Sequence, residues 1–241
     1  MIALIKMEIR RQLGRRGSAI GSTIVILLAG VSIIVLSLAS GQATGPKIFE
    51  AGTGLLAMLV TICSILLGAL AGSYDVDQGT MRYLVLTGVS RTQLVLLRVP
   101  ALIASIVVVS LPGILMVLIA GLIAPAPAAN ASDLLDLFYA VWMSGILYGL
   151  LSLAIGMFLR SNGVAIAIAL VVSLVGALIA ALIADKVSET VGGLFFSEVT
   201  ANVVSREAGT VISLPVAVLA TVVWLVLLLG AAVLRVQRAE Y

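Results

Sequence analysis

The stretch from Tyr74 to Arg98 reads YDVDQGTMRYLVLTGVSRTQLVLLR and separates two long apolar runs. It concentrates charge in a chain that carries little charge elsewhere. Two acidic residues are followed by a Gln-Gly-Thr break, by a short amphipathic helix over residues 81–86 and by a turn ending in Ser-Arg. A polar helix between two apolar runs is well placed to receive a mechanical force from a soluble partner.

The overall composition places the chain in a membrane. Hydrophobic residues make up 62% of the sequence and charged residues 10%, and the mean hydropathy is +1.26. Soluble domains have about half apolar and about a quarter charged residues. The sequence therefore predicts an all-α integral membrane protein, because 241 residues leave room for about six to eight helices of roughly 20 residues each.

Apolar runs along the chain predict six transmembrane helices within a single transmembrane domain over residues 1–241. The first run is too long for the apolar core of a signal peptide, which has about 7–15 residues, so we expect it to be retained as a span. The six predicted spans cover about residues 19–39, 51–73, 99–124, 137–159, 164–184 and 212–234.

The N-terminal residues 1–17 predict an amphipathic helix that lies in the membrane interface. At 100° per residue its isoleucines and Leu13 share one narrow face, and most of its charges lie opposite. Its basic residues would face anionic headgroups; they are Lys6, Arg10, Arg11, Arg15 and Arg16. An alternative is a basic flank that only fixes topology.

The distribution of basic residues predicts that both termini are cytoplasmic. With the N-terminus inside and six spans, eleven of the fourteen Lys and Arg residues lie on the cytoplasmic side, as the positive-inside rule requires. Only Lys47, Lys186 and Arg206 then lie outside.

Residues 185–211 do not have the pattern of a plain loop. The apolar part, around Gly192 to Phe196, is too short to span a membrane and too apolar to be solvated. We expect an extracellular re-entrant or interfacial segment, and an ordinary amphipathic loop helix is the alternative.

Several function classes are excluded by what the sequence lacks. The interiors of the predicted spans carry no Asp, Glu, Lys or Arg, which argues against an ion-coupled secondary carrier. The sequence contains no phosphate-binding loop pattern, and the glycine-containing stretch from Gly41 to Lys47 does not match that pattern. The chain also has no histidine. Cys63 is the single cysteine and is expected to act as a small buried apolar residue. No catalytic, metal or cofactor site is predicted, so any work must be powered by another polypeptide.

The order of these parts resembles the permeases of type-2 exporters of the ATP-binding-cassette (ABC) family. Such permeases have an N-terminal elbow helix, six spans with cytoplasmic ends, a coupling helix between the second and third spans, and a re-entrant segment between the fifth and sixth. Their cytoplasmic loop reads as an acid, Gly-Thr, a short apolar-basic helix and a turn with Ser-Arg. Here the coupling helix would occupy residues 75–91, and the residues that resemble the ATPase-coupling interface are Asp75, Asp77, Gly79, Thr80, Arg82, Tyr83, Leu84, Leu86, Ser90 and Arg91.

The physical chemistry of that loop suits the same role. The Thr80 hydroxyl can accept from the first free amides of the helix, and Gly79 permits a sharp change of direction before it. Arg82 and Tyr83 are residue types that favour protein interfaces. A plain topogenic loop is the alternative.

The resemblance implies partners that the sequence itself does not name. They are a pair of ABC ATPase subunits that bind ATP and Mg²⁺, a second permease subunit in a homo- or heterodimer, and the lipids of a plasma membrane. No nucleic-acid partner is expected. The Ala, Val and Gly bias of the chain is consistent with a prokaryotic inner membrane.

Stripes of small residues predict close helix packing in lipid. They contain Gly68, Gly72, Gly145, Gly149 and Gly156, and they would serve either contacts within the chain or a subunit interface.

A pathway lined by Ser, Thr, Tyr and aliphatic residues favours a hydrophobic or amphipathic cargo, such as a drug, a peptide antibiotic or a lipid-like molecule. The alternatives are a non-transporting membrane scaffold or assembly factor and, less favoured, a secondary carrier.

Overall fold

The computed structural model describes residues 2–14, 16–39, 44–77, 90–123, 130–206 and 212–238. Within these residues the chain forms ten helices. In chain order they are α1 (Ile2–Leu13), α2 (Arg16–Ala39), α3 (Gly45–Asp77), α4 (Arg91–Ile123), α5 (Ala131–Leu159), α6 (Asn162–Leu174), α7 (Gly176–Lys186), α8 (Glu189–Gly193), α9 (Phe196–Ser205) and α10 (Leu214–Gln237).

Five of these helices, α2, α3, α4, α5 and α10, are long and apolar enough to cross a membrane. The pair α6 and α7 makes a sixth candidate if the two helices are taken as one span. The predicted all-helical, multi-pass membrane character is therefore confirmed for the described residues.

The region predicted as an uninterrupted fifth span is broken. α6 and α7 meet at Val175 with a bend of 61°. At the bend, a Cβ on Gly176 would lie 2.7 Å from the Cβ of Ser197 on α9. Because Gly176 has no side chain, α9 can approach its backbone closely. This long-range contact accompanies a break between α6 and α7 that local hydropathy does not indicate.

The other helices are arranged around one tightly packed pair, α3 and α5, which make the most extensive helix contact among the described elements. They run parallel, because Ser64 lies near Gly145 while Gly72 lies near Leu153. α4 runs antiparallel to α3, with Gly121 against Phe49 and Arg98 against Gly72. The bundle therefore has one end formed by α1, the C-terminus of α3 and the N-terminus of α4, called here the α1 end.

The segment after α7 returns into the bundle. α9 begins where Phe196 packs edge-on against Tyr148, near the middle of α5, with ring centroids 5.6 Å apart. It ends near the start of α5, where the Tyr139 hydroxyl donates to the Val203 carbonyl at 2.9 Å. Just before α9, the Leu194 carbonyl accepts a hydrogen bond of 2.9 Å from the indole N–H of Trp224 on α10.

Candidate functional site

At the α1 end, one carboxylate joins three helices. Asp75 on α3 accepts two hydrogen bonds from Arg11 on α1, at 3.0 and 2.8 Å, and another from Arg98 on α4. The side chains of Asp75 and Arg98 are each only 3% exposed. Arg98 also donates to the carbonyls of Ala71 and Gly72, at 2.9 and 3.1 Å. We call Arg11, Glu8, Asp75 and Arg98 the ion cluster.

The outer side of the ion cluster is formed within α1. Arg11 donates to Glu8 at 2.8 Å, and its side chain is partly exposed. Burial of Arg11 disfavours its charge, but the carboxylates of Glu8 and Asp75 outweigh that effect and raise the pKa of the guanidinium. One residue further on, the Gln12 Oε1 atom lies 3.1 Å from the Ser105 hydroxyl of α4. α1 is therefore fastened to the bundle by polar side chains.

The predicted ATPase-coupling residues fall partly within the described structure. Asp75 is buried in the ion cluster, and Asp77 is the last residue of α3. The side chains of Asp77 and Arg91 lie outside the described residues. Six of the predicted coupling residues lie entirely outside them: Gly79, Thr80, Arg82, Tyr83, Leu84 and Leu86.

Ser90 starts the helix that leads away from this loop. Its hydroxyl accepts from the Gln93 amide at 3.2 Å, while its own amide donates to Gln93 Oε1 at 3.3 Å. This is a capping box, in which two free amides at the helix start are satisfied reciprocally. α4 thus begins at a defined place, seven residues before the ion cluster's Arg98.

The basic residues of the predicted interfacial helix have different surroundings. Lys6 and Arg10 are exposed on α1, whereas Arg11 points inward to the ion cluster. The side chains of Arg15 and Arg16 lie outside the described residues.

The small-residue stripes of α3 and α5 face each other within the chain. A Cβ on Gly68 would lie 2.2 Å from the Gly149 carbonyl oxygen, and one on Gly72 would lie 2.5 Å from that of Leu153. Gly156 sits against the Ala69 carbonyl in the same interface, and Gly145 against the side chains of Ser64 and Val60. These approaches bring the two backbones into contact, as small residues do in lipid-embedded helices.

A second polar region lies farther along the same helix pair. There α3, α5, α6 and α9 surround an open groove of about 370 Å³. It forms where α6 ends, because α7 bends away and leaves α3 and α5 uncovered. The groove is lined by Met58, Thr61, Ile62, Ser144, Tyr148, Ser173, Leu174, Thr200, Ala201 and Val204.

α9 forms the outer wall of the groove, and polar interactions with α5 hold its C-terminal end in place. Arg206 stacks over the Tyr139 ring, with its guanidinium carbon 3.8 Å from the ring centroid. The same guanidinium donates to Asp136 at 2.8 Å. Arg206 adopts a left-handed backbone conformation with φ of 56°, so α9 terminates there.

Sequence reasoning missed two features of this arrangement. The pairing of Asp75 with Arg11 and Arg98 joins residues far apart in the chain and has no local signal. The capping box at Ser90 and Gln93 does have one, the Ser-x-x-Gln spacing. Within the described residues, no group of three or more acidic or cysteine side chains is arranged to hold a metal ion.

No protein-family model matches this chain, and no curated protein sequence matches it significantly. An assignment of function therefore depends on the chain's own residues.

Proposed function

We propose that this chain is the transmembrane permease subunit of an ATP-driven ABC exporter. It moves a hydrophobic or amphipathic cargo out across a prokaryotic plasma membrane, and a separate pair of ATPase subunits binds ATP and Mg²⁺ and supplies the energy. A second permease subunit, identical or not, completes the transporter. The multi-pass helical fold supports the membrane component of this proposal.

The observation that carries the proposal is the position of the ion cluster at the base of residues 78–89. In the sequence these residues link the C-terminus of α3 to the N-terminus of α4, and Asp75 binds both α4 and α1 close to the two helix ends that they link. A force applied to the loop by a partner would reach three helices through one buried carboxylate.

The lengths of α3 and α4 support the same role. Each has 33 residues, which gives about 50 Å at 1.5 Å per residue. The hydrocarbon core of a bilayer is only about 30 Å thick. Both helices are therefore long enough to project beyond the core, where a soluble ATPase can contact the loop between them.

The test is purification of the tagged chain from its native membranes in mild detergent, followed by ATPase assays of the material that copurifies. The variant Arg82→Glu reverses a charge in the proposed coupling helix. Lys186→Glu is the matched control, since Lys186 lies away from the α1 end and its side chain is largely exposed. We expect an ATPase to copurify with the native chain, and the ATPase activity that depends on the permease to fall only in Arg82→Glu.

Two results would contradict the proposal. If no ATPase copurifies, a scaffold or assembly factor that docks another cytoplasmic partner becomes the better description. If an ATPase copurifies but Arg82→Glu and Lys186→Glu behave alike, residues 81–86 do not form the coupling contact.

A further inference from the structure

We propose that the groove between α3, α5, α6 and α9 binds the uncharged polar head of an acyl amphiphile, of the diacylglycerol type. The binding site is inferred from the groove itself. Its identification as a cargo site rests on the proposed exporter function.

The groove contains a hydroxyl with spare hydrogen-bonding capacity on a largely buried residue. Thr61 is 6% exposed, lines the groove, and makes no hydrogen bond to any residue that the structure describes. Other threonines satisfy their hydroxyls within their own helix, as Thr53 does by donating to the Phe49 carbonyl at 2.7 Å. The Thr61 oxygen is not sealed off from the groove, so a bound polar group can reach it and form the missing hydrogen bond.

Two more hydroxyls are available from neighbouring helices. The Thr200 hydroxyl lies 3.4 Å from that of Tyr148, but it is only 2.8 Å from the Phe196 carbonyl. Thr200 has a single proton and uses it in the shorter bond, so the Tyr148 O–H can donate to the Thr200 oxygen, and the Tyr148 oxygen keeps a lone pair that can accept from a ligand in the groove. Ser173 on α6 also has no hydrogen bond within the described residues. Three helices thus present hydroxyls to one space.

The end of α6 adds acceptors to these donors. The last carbonyls of a helix have no partner within it, and α6 stops at Leu174 because of the bend. Ser173 and Leu174 lie in this last turn and line the groove. A ligand with both hydroxyl donors and ester or hydroxyl acceptors would match such a mixed lining.

The charges around the groove favour an uncharged head. None of the ten described lining residues carries a charge, so an ionic head would lose its hydration without gaining a counter-ion. Glu198 lies on α9 within one turn of the lining residues Thr200 and Ala201, and its negative charge further disfavours an anion such as a phosphate monoester.

The rim of the groove suits acyl chains. Met58 and Leu174 line it and are 52% and 57% exposed, so the polar interior opens onto an apolar surface. A volume of about 370 Å³ lies near the lower end of the range for small-molecule sites, roughly 300–1,000 Å³. It accommodates a glyceryl head while the chains remain in the bilayer.

Photo-labelling in phosphatidylcholine nanodiscs tests this assignment. The purified chain is irradiated with one of three diazirine probes that share two oleoyl chains. Their heads are glycerol, phosphate or trimethylammonium, so they differ in charge. Labelled peptides are mapped by mass spectrometry. We expect the glycerol probe to label the peptides containing Met58 and Leu174 about threefold to tenfold more than the other two, which is the difference that one hydrogen bond of about 1 kcal/mol would give.

Matched variants separate the site from general lipid contact. Thr61→Val and Tyr148→Phe should reduce this labelling, Thr61→Ser should retain it, and Thr53→Val should leave it unchanged. Variants are compared only as monodisperse protein on size exclusion. Equal labelling by the three probes, or preference for the phosphate or trimethylammonium probe, would overturn the proposal.

The outcome is independent of the coupling test. A chain that copurifies with an Arg82-dependent ATPase but shows no preference for the glycerol probe would be an exporter whose cargo binds elsewhere. A chain that prefers the glycerol probe but brings down no ATPase would be a lipid-binding membrane protein rather than a permease.

Discussion

The ion cluster and the groove lie at different levels of the same helix pair, and they treat their polar groups in opposite ways. In the ion cluster, each of the four charged side chains is bonded to a charge of opposite sign. In the groove, Thr61 and Ser173 make no hydrogen bonds to the described residues. The first region has its strong interactions satisfied within the chain, whereas the second has capacity for a ligand.

Burial alone does not identify a binding site in this bundle. Asp75 is even more buried than Thr61, but its charge is compensated by two guanidinium groups. Its role is to hold helices in place. The Thr61 hydroxyl has no comparable partner among the described residues. Substitutions in the two regions should therefore differ in their effects on stability and on ligand binding.

Removing the central carboxylate should have the largest effect on stability. Asp75→Ala leaves Arg98 buried without its counter-ion, and breaking a buried pair in this way costs about 3–5 kcal/mol. We expect a marked loss of thermal stability in detergent, measured by temperature-dependent aggregation on size exclusion. Asp185→Ala is the control, because its pair with Lys186 is exposed; equal melting temperatures for the two variants would show that the ion cluster does not hold the bundle.

The glycine contact between α3 and α5 should be the next most sensitive feature. Gly68→Ala places a methyl group 2.2 Å from a backbone oxygen, so the helices must separate, at a cost of about 1–3 kcal/mol or more. Gly54→Ala on the same helix meets nothing within 4 Å and should be neutral or slightly stabilising in the same assay. Comparable tolerance of both substitutions would contradict the close approach.

The outer arginine of the ion cluster should matter less than its centre. Arg11→Gln removes two bonds to Asp75 but leaves Arg98 paired, so we expect a loss of about 1–2 kcal/mol. Faster amide hydrogen exchange in residues 2–13 would show that α1 has loosened. Arg10→Gln, a neighbouring and exposed substitution, should leave that exchange unchanged, and an equal response from both would remove the specific role of Arg11.

The smallest stability change is expected in the groove. Thr61→Val removes a hydroxyl that has no hydrogen bond within the described residues, so we expect a change within about 0.5 kcal/mol. The same substitution should weaken binding of the glycerol probe. A large loss of stability would mean that the hydroxyl has a structural partner, and the contrast between the two regions would disappear.

The elements that the sequence predicts well are those with a local cause. Long apolar runs predict the five helices that are long enough to span a membrane and the broken pair that makes a sixth candidate. The Ser90-x-x-Gln93 spacing, which was missed, carries enough information to place the start of α4. The spacing of Gly68 and Gly72 indicates a face for close approach, although it does not say which helix meets that face.

The features that escape sequence reasoning depend on distant contacts. The polarity of Asp75 was visible, but its pairing with Arg11, 64 residues away, requires α1 to fold against α3 and α4. The bend at Val175 accompanies the approach of Ser197 to Gly176, and the groove exists only because of that bend. No periodicity within residues 164–184 reports either event.

The parallel arrangement of α3 and α5 has a consequence for biogenesis. Two parallel neighbours cannot form a hairpin, since α4 must cross the bundle between them. During synthesis, the tightest helix contact can therefore close only after residues as late as Gly156 have left the ribosome and the insertion machinery. Until then, α3 exposes its glycine face to lipid or to quality-control factors. Chains shortened before α5 should consequently be inserted but remain open to degradation.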